Sequence, residues 1–208
     1  MCGRSGEMSG MHAMELAEVR KLLPELPAKY GAITAIGVTT GCRISEILVL
    51  RRFDLLNADG RLKEVIAFLK LKSRSGRVEH RKIGIPRGIW RKVVLDHLKR
   101  MEETGYDRPD DFVFRGSAGK HLSRLTCARF FRSRLGPGYG THWMRKTFAG
   151  EMFRHFLTEN VRDPMRALEL VRQALGHARI DTTVKYLGIT EASIESAQEA
   201  IFNGGGEQ

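Results

Sequence analysis

The chain has 208 residues, enough for one domain with a real core, and its 42% hydrophobic and 28% charged content argues against a disordered or membrane-embedded chain. Its 35 Lys and Arg against 24 Asp and Glu leave a net charge of +11 and a pI near 10.0. That surplus points to a polyanionic partner, nucleic acid or an anionic membrane surface. No stretch approaches the ~18 apolar residues of a spanning helix, and the N-terminal MCGRSGEMSG lacks both an apolar signal core and a Gly directly after the first Met. No membrane partner is therefore expected, and the expected location is cytoplasmic, on the DNA of the nucleoid. Cys2, Cys42 and Cys127 are odd in number and contain no C-x-x-C pair, which suggests neither a disulfide framework nor a zinc site. Cys42 and Cys127 read as small buried hydrophobes.

Residues 1–13 are small, polar and Gly-rich, and a disordered leader is expected there. Apolar residues at helical spacing predict a helix over Glu15–Leu23, ended by Pro24 and Pro27, then helices over Ala28–Thr39 and Ile44–Leu50 around Gly41. A short strand is expected near Phe53–Leu55. Leu62–Leu71 and Val78–Ile85 are rich in β-branched and aromatic residues and flank the turn signal Ser73-Arg74-Ser75-Gly76, which predicts a β-hairpin. Helices are then expected at Ile89–Glu103, Ser123–Leu135, His142–Leu157, Pro164–Leu175, Thr182–Tyr186 and Glu191–Phe202. Ser123, Thr141 and Asp163 are the predicted N-caps, the last with Pro164 at the first helical position. The expected class is mainly α with one small antiparallel β-sheet, forming one domain over 14–202 with a flexible tail at 203–208.

The charge is unevenly placed. Residues 70–92 carry nine bases against the single acid Glu79, and residues 112–140 carry six bases and no acid. The remainder of the chain is slightly acidic, so the excess is a local footprint of the kind a DNA backbone selects. Lys70, Arg74, Arg77, Arg81, Lys82, Lys120, Arg124 and Arg129 are the candidate DNA-binding residues from these two segments.

Four segments combine into a chemical constellation. Arg43 and Glu46 stand at i, i+3 at a helix start, where the carboxylate can fix the guanidinium. Lys72 borders the hairpin turn. His142 and Arg145 again stand at i, i+3, and Leu175-Gly176-His177 is followed nine residues later by Tyr186. Each segment alone is weak: H-x-x-R pairs arise by chance, and a lone Tyr is most often a half-buried aromatic. Together they form a set for phosphoryl transfer without a metal. A phosphodiester transition state spreads negative charge over its nonbridging oxygens, and two permanently charged guanidinium forks can hold those oxygens. Tyr186 is the candidate nucleophile, and Lys72 is placed to protonate a leaving oxygen. No metal site and no cofactor is expected.

The segments TGCRISEILVLRRFDL, LKSRSGRVEHRKIGIP, THWMRKTF and LGHARIDTTVKYL resemble the catalytic domain of the tyrosine recombinase, or phage integrase, family over about residues 14–190. The resemblance implies that Arg43 and Arg145 clamp the scissile phosphate, and that His142 and His177 hydrogen-bond it or assist proton transfer. It makes Lys72 the general acid, with Lys70 and Arg74 as the alternatives near the hairpin, and Glu46 the support of Arg43. Tyr186 would form a 3′-phosphotyrosyl link to double-stranded DNA during site-specific recombination or integration of a mobile element. Lys146 follows Arg145 where many members have His, and Thr158–Arg166 is longer than the usual connection. The N-terminal DNA-binding domain that family members usually carry is expected to be absent, as in an excised catalytic domain. The segment after Tyr186 has only Glu191, Glu195, Glu199 and Glu207 as charges, with Ile194, Ala197 and Ile201 as an apolar stripe. In the family this region docks on a neighbouring protomer, which implies a homotetramer on DNA. The competing readings are a non-catalytic DNA-binding fragment and a related type IB topoisomerase or telomere resolvase.

Overall fold

A computed structural model of the chain describes residues 12–70, 79–160 and 163–187. The element order is α1 (Leu16–Leu22), α2 (Ala28–Thr40), α3 (Ile44–Leu48), α4 (Arg52–Leu55), β1 (Ile66–Lys70), β2 (Glu79–Ile83), α5 (Ile89–Glu103), α6 (Arg124–Leu135), α7 (Trp143–His155), α8 (Pro164–Leu175) and α9 (Ile180–Leu187). The chain divides into two compact units, Met1–Phe148 and Ala149–Gln208. The predicted class holds: mainly helical with one two-stranded antiparallel sheet.

The first unit is built around α2. Gly31 through Val38 are all buried, so this helix is apolar on every side and serves as the axis of the core. It packs chiefly on α5, whose Trp90, Val94, Leu98 and Met101 are buried along one stripe. Ile66 and Phe68 of β1 close the core from the sheet side, while Ala67 between them is exposed, as the period of two requires. Cys42 and Cys127 are buried here, as expected of small apolar side chains, and burial pushes their thiols up to about 11 and about 12.

Two glycines set how α7 meets α2. A Cβ on Gly37 would lie 2.6 Å from the Met144 sulfur, and one on Gly41 would lie 2.4 Å from Phe148 Cδ1. Gly41 also ends α2 in the left-handed conformation at φ 60°, with its N–H on the Gly37 carbonyl at 3.0 Å. Glycine at both positions lets the first turns of α7 press directly on the end of α2.

Several expectations need correction. Phe53–Leu55 lies in the short helix α4, not a strand. The Asp54 carboxylate accepts the Arg51 N–H at 2.7 Å and so caps a helical turn. The Arg52 side chain is buried against α5, donating to Glu102 at 2.5 Å and to the Leu98 carbonyl at 3.4 Å. The first backbone bond of α7 runs from the Lys146 N–H to the His142 carbonyl at 3.0 Å, so His142 occupies the cap position predicted for Thr141. α7 ends at His155 and continues as a wider π turn over Phe156–Asn160. Ser123 and Asp163 do cap their helices, accepting from Thr126 N–H at 3.0 Å and Met165 N–H at 2.9 Å. His12, predicted as part of the leader, donates its N–H to the Gly138 carbonyl at 3.3 Å. Residues 1–11 of the leader and the predicted helix and tail beyond Leu187 lie outside the described residues.

Candidate active site

The site-forming segment of the first unit is the three-residue passage from the end of α2 to the start of α3, Gly41-Cys42-Arg43. Its conformation is fixed from both ends. The Thr40 hydroxyl donates to the Ile36 carbonyl at 2.6 Å and accepts the Cys42 N–H at 3.2 Å. On the far side Glu46 folds back, one carboxylate oxygen accepting the Arg43 N–H at 2.8 Å and the other the Arg43 Nη1 at 3.2 Å. Glu46 is 4% exposed, whereas the Arg43 side chain keeps 32% of its surface in solvent. A buried carboxylate thus orients a guanidinium whose outer edge stays open to a ligand.

Arg145, from the first turn of α7, is 2% exposed, and its Nη1 donates to the Gly41 carbonyl. Its placement follows from the packing of Met144 and Phe148 on the two glycines of α2. His142 precedes α7 and is half-buried. Burial, then the charges of Arg145, Arg124, Arg43 and Lys146, hold its pKa below the ordinary imidazole value. His142 is therefore neutral at physiological pH and sits in the field of four cations. It also lines a cleft of ≈ 310 Å³ with Arg124, Arg132, Gly140 and Thr141. The first unit therefore brings together Arg43, Glu46, His142 and Arg145, four of the predicted site residues.

The predicted DNA-binding residues separate by exposure. Lys82, Lys120, Arg124 and Arg129 are exposed. Arg81 differs: its guanidinium donates to the Thr40 carbonyl, and burial lowers its pKa beside Cys42, Glu46 and Arg43. Lys70 lies at the end of β1, paired in register with Glu79. Lys72, Arg74 and Arg77 lie outside the described residues.

In the second unit, α8 ends at Gly176 in the left-handed conformation at φ 65°, and the His177 N–H reaches back to the Arg172 carbonyl at 3.0 Å. Arg172 in turn donates to the His177 carbonyl at 2.6 Å and grips Glu169 with two nitrogens at 2.7 and 2.6 Å. Those bonds hold the Glu169 carboxyl down at about 2. The imidazole of His177 is 5% exposed, with Nδ1 3.1 Å from the Thr183 hydroxyl of α9. Tyr186 is in the last turn of that helix. Thr183 and Arg172 were not among the predicted site residues; Thr183 carries a sequence signal only as a polar residue six positions after His177. Among the described residues no group of three or more His, Cys, Asp or Glu is placed to hold a metal ion. No helix among them is long and apolar enough to cross a membrane.

Comparison with known proteins gives a consistent answer. The chain is similar to tyrosine recombinase XerD of Chlorobaculum tepidum, 26% identical over 164 residues, covering 78% of this chain and 49% of the relative. It thus spans about half the length of that curated relative. The fold is similar to the crystal structure of XerA recombinase, with a TM-score of 0.63, 19% identity and coverage of 91% of this chain and 65% of that one. It is also similar to XerH site-specific recombinase bound to its palindromic difH substrate in a post-cleavage complex, with a TM-score of 0.60, 20% identity and coverage of 95% and 55%. At these identities the structural likeness concerns the fold. The model of the phage integrase family matches residues 12–192, and the chain belongs to that family.

Proposed function

We propose that residues 14–202 form the catalytic part of a site-specific recombinase, an enzyme that cleaves and rejoins double-stranded DNA through a 3′-phosphotyrosyl intermediate. The observation that carries this reading is the set of fixed donors around Gly41-Cys42-Arg43. Arg43 is held by buried Glu46, Arg145 by the Gly41 carbonyl, and neutral His142 lies in their field. Preorganised cations of this kind stabilise the charge that develops on the nonbridging oxygens of a phosphodiester under attack.

The roles are assigned residue by residue. Arg43 and Arg145 bind the nonbridging oxygens. The Tyr186 oxygen forms a bond to phosphorus as the bond from phosphorus to the 5′ oxygen breaks. The phenol, with a free pKa of about 10, gives up its proton to an imidazole, either His142 or His177, and Lys72 delivers a proton to the departing 5′ oxygen. The P–O bond energy is kept in the phosphotyrosyl ester, so rejoining reverses these transfers with a new 5′ hydroxyl and consumes no nucleotide. Lys82, Lys120, Arg124 and Arg129 contact flanking phosphates, and assembly on DNA is tetrameric through the segment after Tyr186.

The test is capture of a covalent complex. Nicked duplexes of randomised sequence are incubated with the protein at low salt, and denaturing electrophoresis separates adducts, whose enriched sequence then serves as a defined substrate. The wild type yields an adduct that persists in EDTA, and Tyr186→Phe yields none. An adduct that survives Tyr186→Phe, or no adduct from the wild type, overturns the proposal.

A further inference from the structure

We infer that Arg81 is a positioning residue for the phosphate clamp and not a DNA contact, an inference that rests on the recombinase reading above. In the sheet register Arg81 stands opposite Phe68, which is 1% exposed, so it occupies the inward face of β2, while its neighbour Lys82 faces solvent. A cation at an inward position persists only where protein acceptors replace its water. Arg81 finds that acceptor at the carbonyl of Thr40, the last residue of α2. The end of a helix carries partial negative charge on its unpaired carbonyls, which suits a guanidinium.

The next carbonyl along, that of Gly41, accepts from Arg145. Two guanidiniums from separate elements, β2 and α7, thus hold consecutive carbonyls, and Arg43 is two residues beyond. Arg81 also lies close enough to Glu46 and Arg43 to feel both charges. In sequence, β1 runs two residues short of Lys72, so Arg81 links the strand pair bearing the proposed general acid to the passage bearing the phosphate-binding Arg43. Loss of this tie misplaces Arg43 at the moment of reaction without removing a phosphate contact. Misplacement of a reacting group by about 1 Å costs on the order of 100-fold in rate.

The experiment separates binding from chemistry in Arg81→Met and Arg81→Lys. For each protein, the single-turnover cleavage rate is measured at saturating concentration of the nicked duplex captured by the wild type. The dissociation constant for that duplex is measured across a salt series, with far-ultraviolet circular dichroism confirming the fold. Arg81→Met is expected to lose on the order of 100-fold in rate with dissociation constant and salt slope unchanged. Arg81→Lys, which keeps one charged donor toward Thr40, is expected to recover part of the rate. A phosphate contact would behave oppositely, weakening affinity and reducing the salt slope by about one while leaving the saturated rate intact. That pattern overturns the inference, as does a variant with wild-type rate and affinity. If Arg81→Met does not fold, Arg81→Lys decides on the same criteria. A wild type that forms no adduct overturns the recombinase reading and this inference with it, whereas a wild-type adduct with indifferent Arg81 variants overturns this inference alone.

Discussion

Gly41→Ala tests how the site is held. The substitution asks an L-residue to adopt φ 60° and to place a Cβ 2.4 Å from Phe148 Cδ1. The left-handed conformation costs about 1–2 kcal/mol, and forcing a methyl into a packed contact costs about 1–3 kcal/mol. Loss of glycine's freedom in the unfolded chain offsets about 0.4–1 kcal/mol of this. The net expectation is a destabilisation of about 1–5 kcal/mol, a large fraction of the stability of a typical domain. Gly60→Ala is the control, because Gly60 has φ 76° and nothing within 4 Å of a built Cβ. It carries the conformational cost alone, about 0–1.6 kcal/mol after the same offset. Urea unfolding followed by tryptophan fluorescence reads the first unit, since Trp90 and Trp143 both lie in it. At equal slopes, a Gly41→Ala midpoint clearly below that of Gly60→Ala supports direct packing of α7 on the end of α2. Equal midpoints for the two variants would refute it.

Other predictions use the same geometry. His97 and His142 both have pKa values pushed down, by burial first in each case. The unfolded chain therefore binds protons before the folded one as pH falls through about 6.5, so stability is full above that pH and declines below it. Urea midpoints compared at about pH 7.5 and about pH 5.5 should show the loss, and His97→Gln should reduce it; a midpoint equal at both pH values contradicts the assignment. Thiol titration of the native protein at mildly alkaline pH should leave Cys42 and Cys127 unmodified, their thiols raised to about 11 and about 12, until denaturant is added. Thr183→Val removes the hydroxyl beside His177 Nδ1 and should slow cleavage roughly tenfold with DNA affinity unchanged, in keeping with loss of an oriented imidazole. A substrate with a 5′-bridging sulfur, whose leaving group needs no proton, should restore cleavage to Lys72→Ala but not to variants of Lys70 or Arg74. Rescue of Lys70→Ala instead would move the acid role there.

The sequence signals were strongest where local chemistry decides the outcome. α6 and α8 begin where Ser123, and Asp163 with Pro164, place them, and α8 stops at Gly176, because caps and breakers act within one turn. The pairing of Arg43 with Glu46 was likewise readable from i, i+3 spacing. Phe53–Leu55 misled because alternating bulky residues resemble a strand, while the deciding bond, Asp54 to the Arg51 N–H, competes locally for a helical turn. Thr141 had the better capping side chain, yet tertiary packing of Met144 and Phe148 sets where α7 starts. A count of charges groups Arg81 with the DNA-facing cations because it is blind to the face of a strand. Its register opposite Phe68 turns it inward, and only the three-dimensional fold brings Thr40 to it. The His177–Thr183 contact bridges the end of α8 and the start of α9, a distance in sequence that no motif encodes.

The central claim is that Tyr186 becomes the covalent carrier of a DNA 3′ end. Its most direct measurement is tandem mass spectrometry of the captured adduct after tryptic and nuclease digestion. Cleavage after Lys185 releases a peptide that begins at Tyr186, and the nuclease leaves a small nucleotide remnant as a mass tag. The result expected is that tag on Tyr186, joined through a 3′-phosphate. A remnant on another residue, or one joined through a 5′-phosphate, would contradict the mechanism.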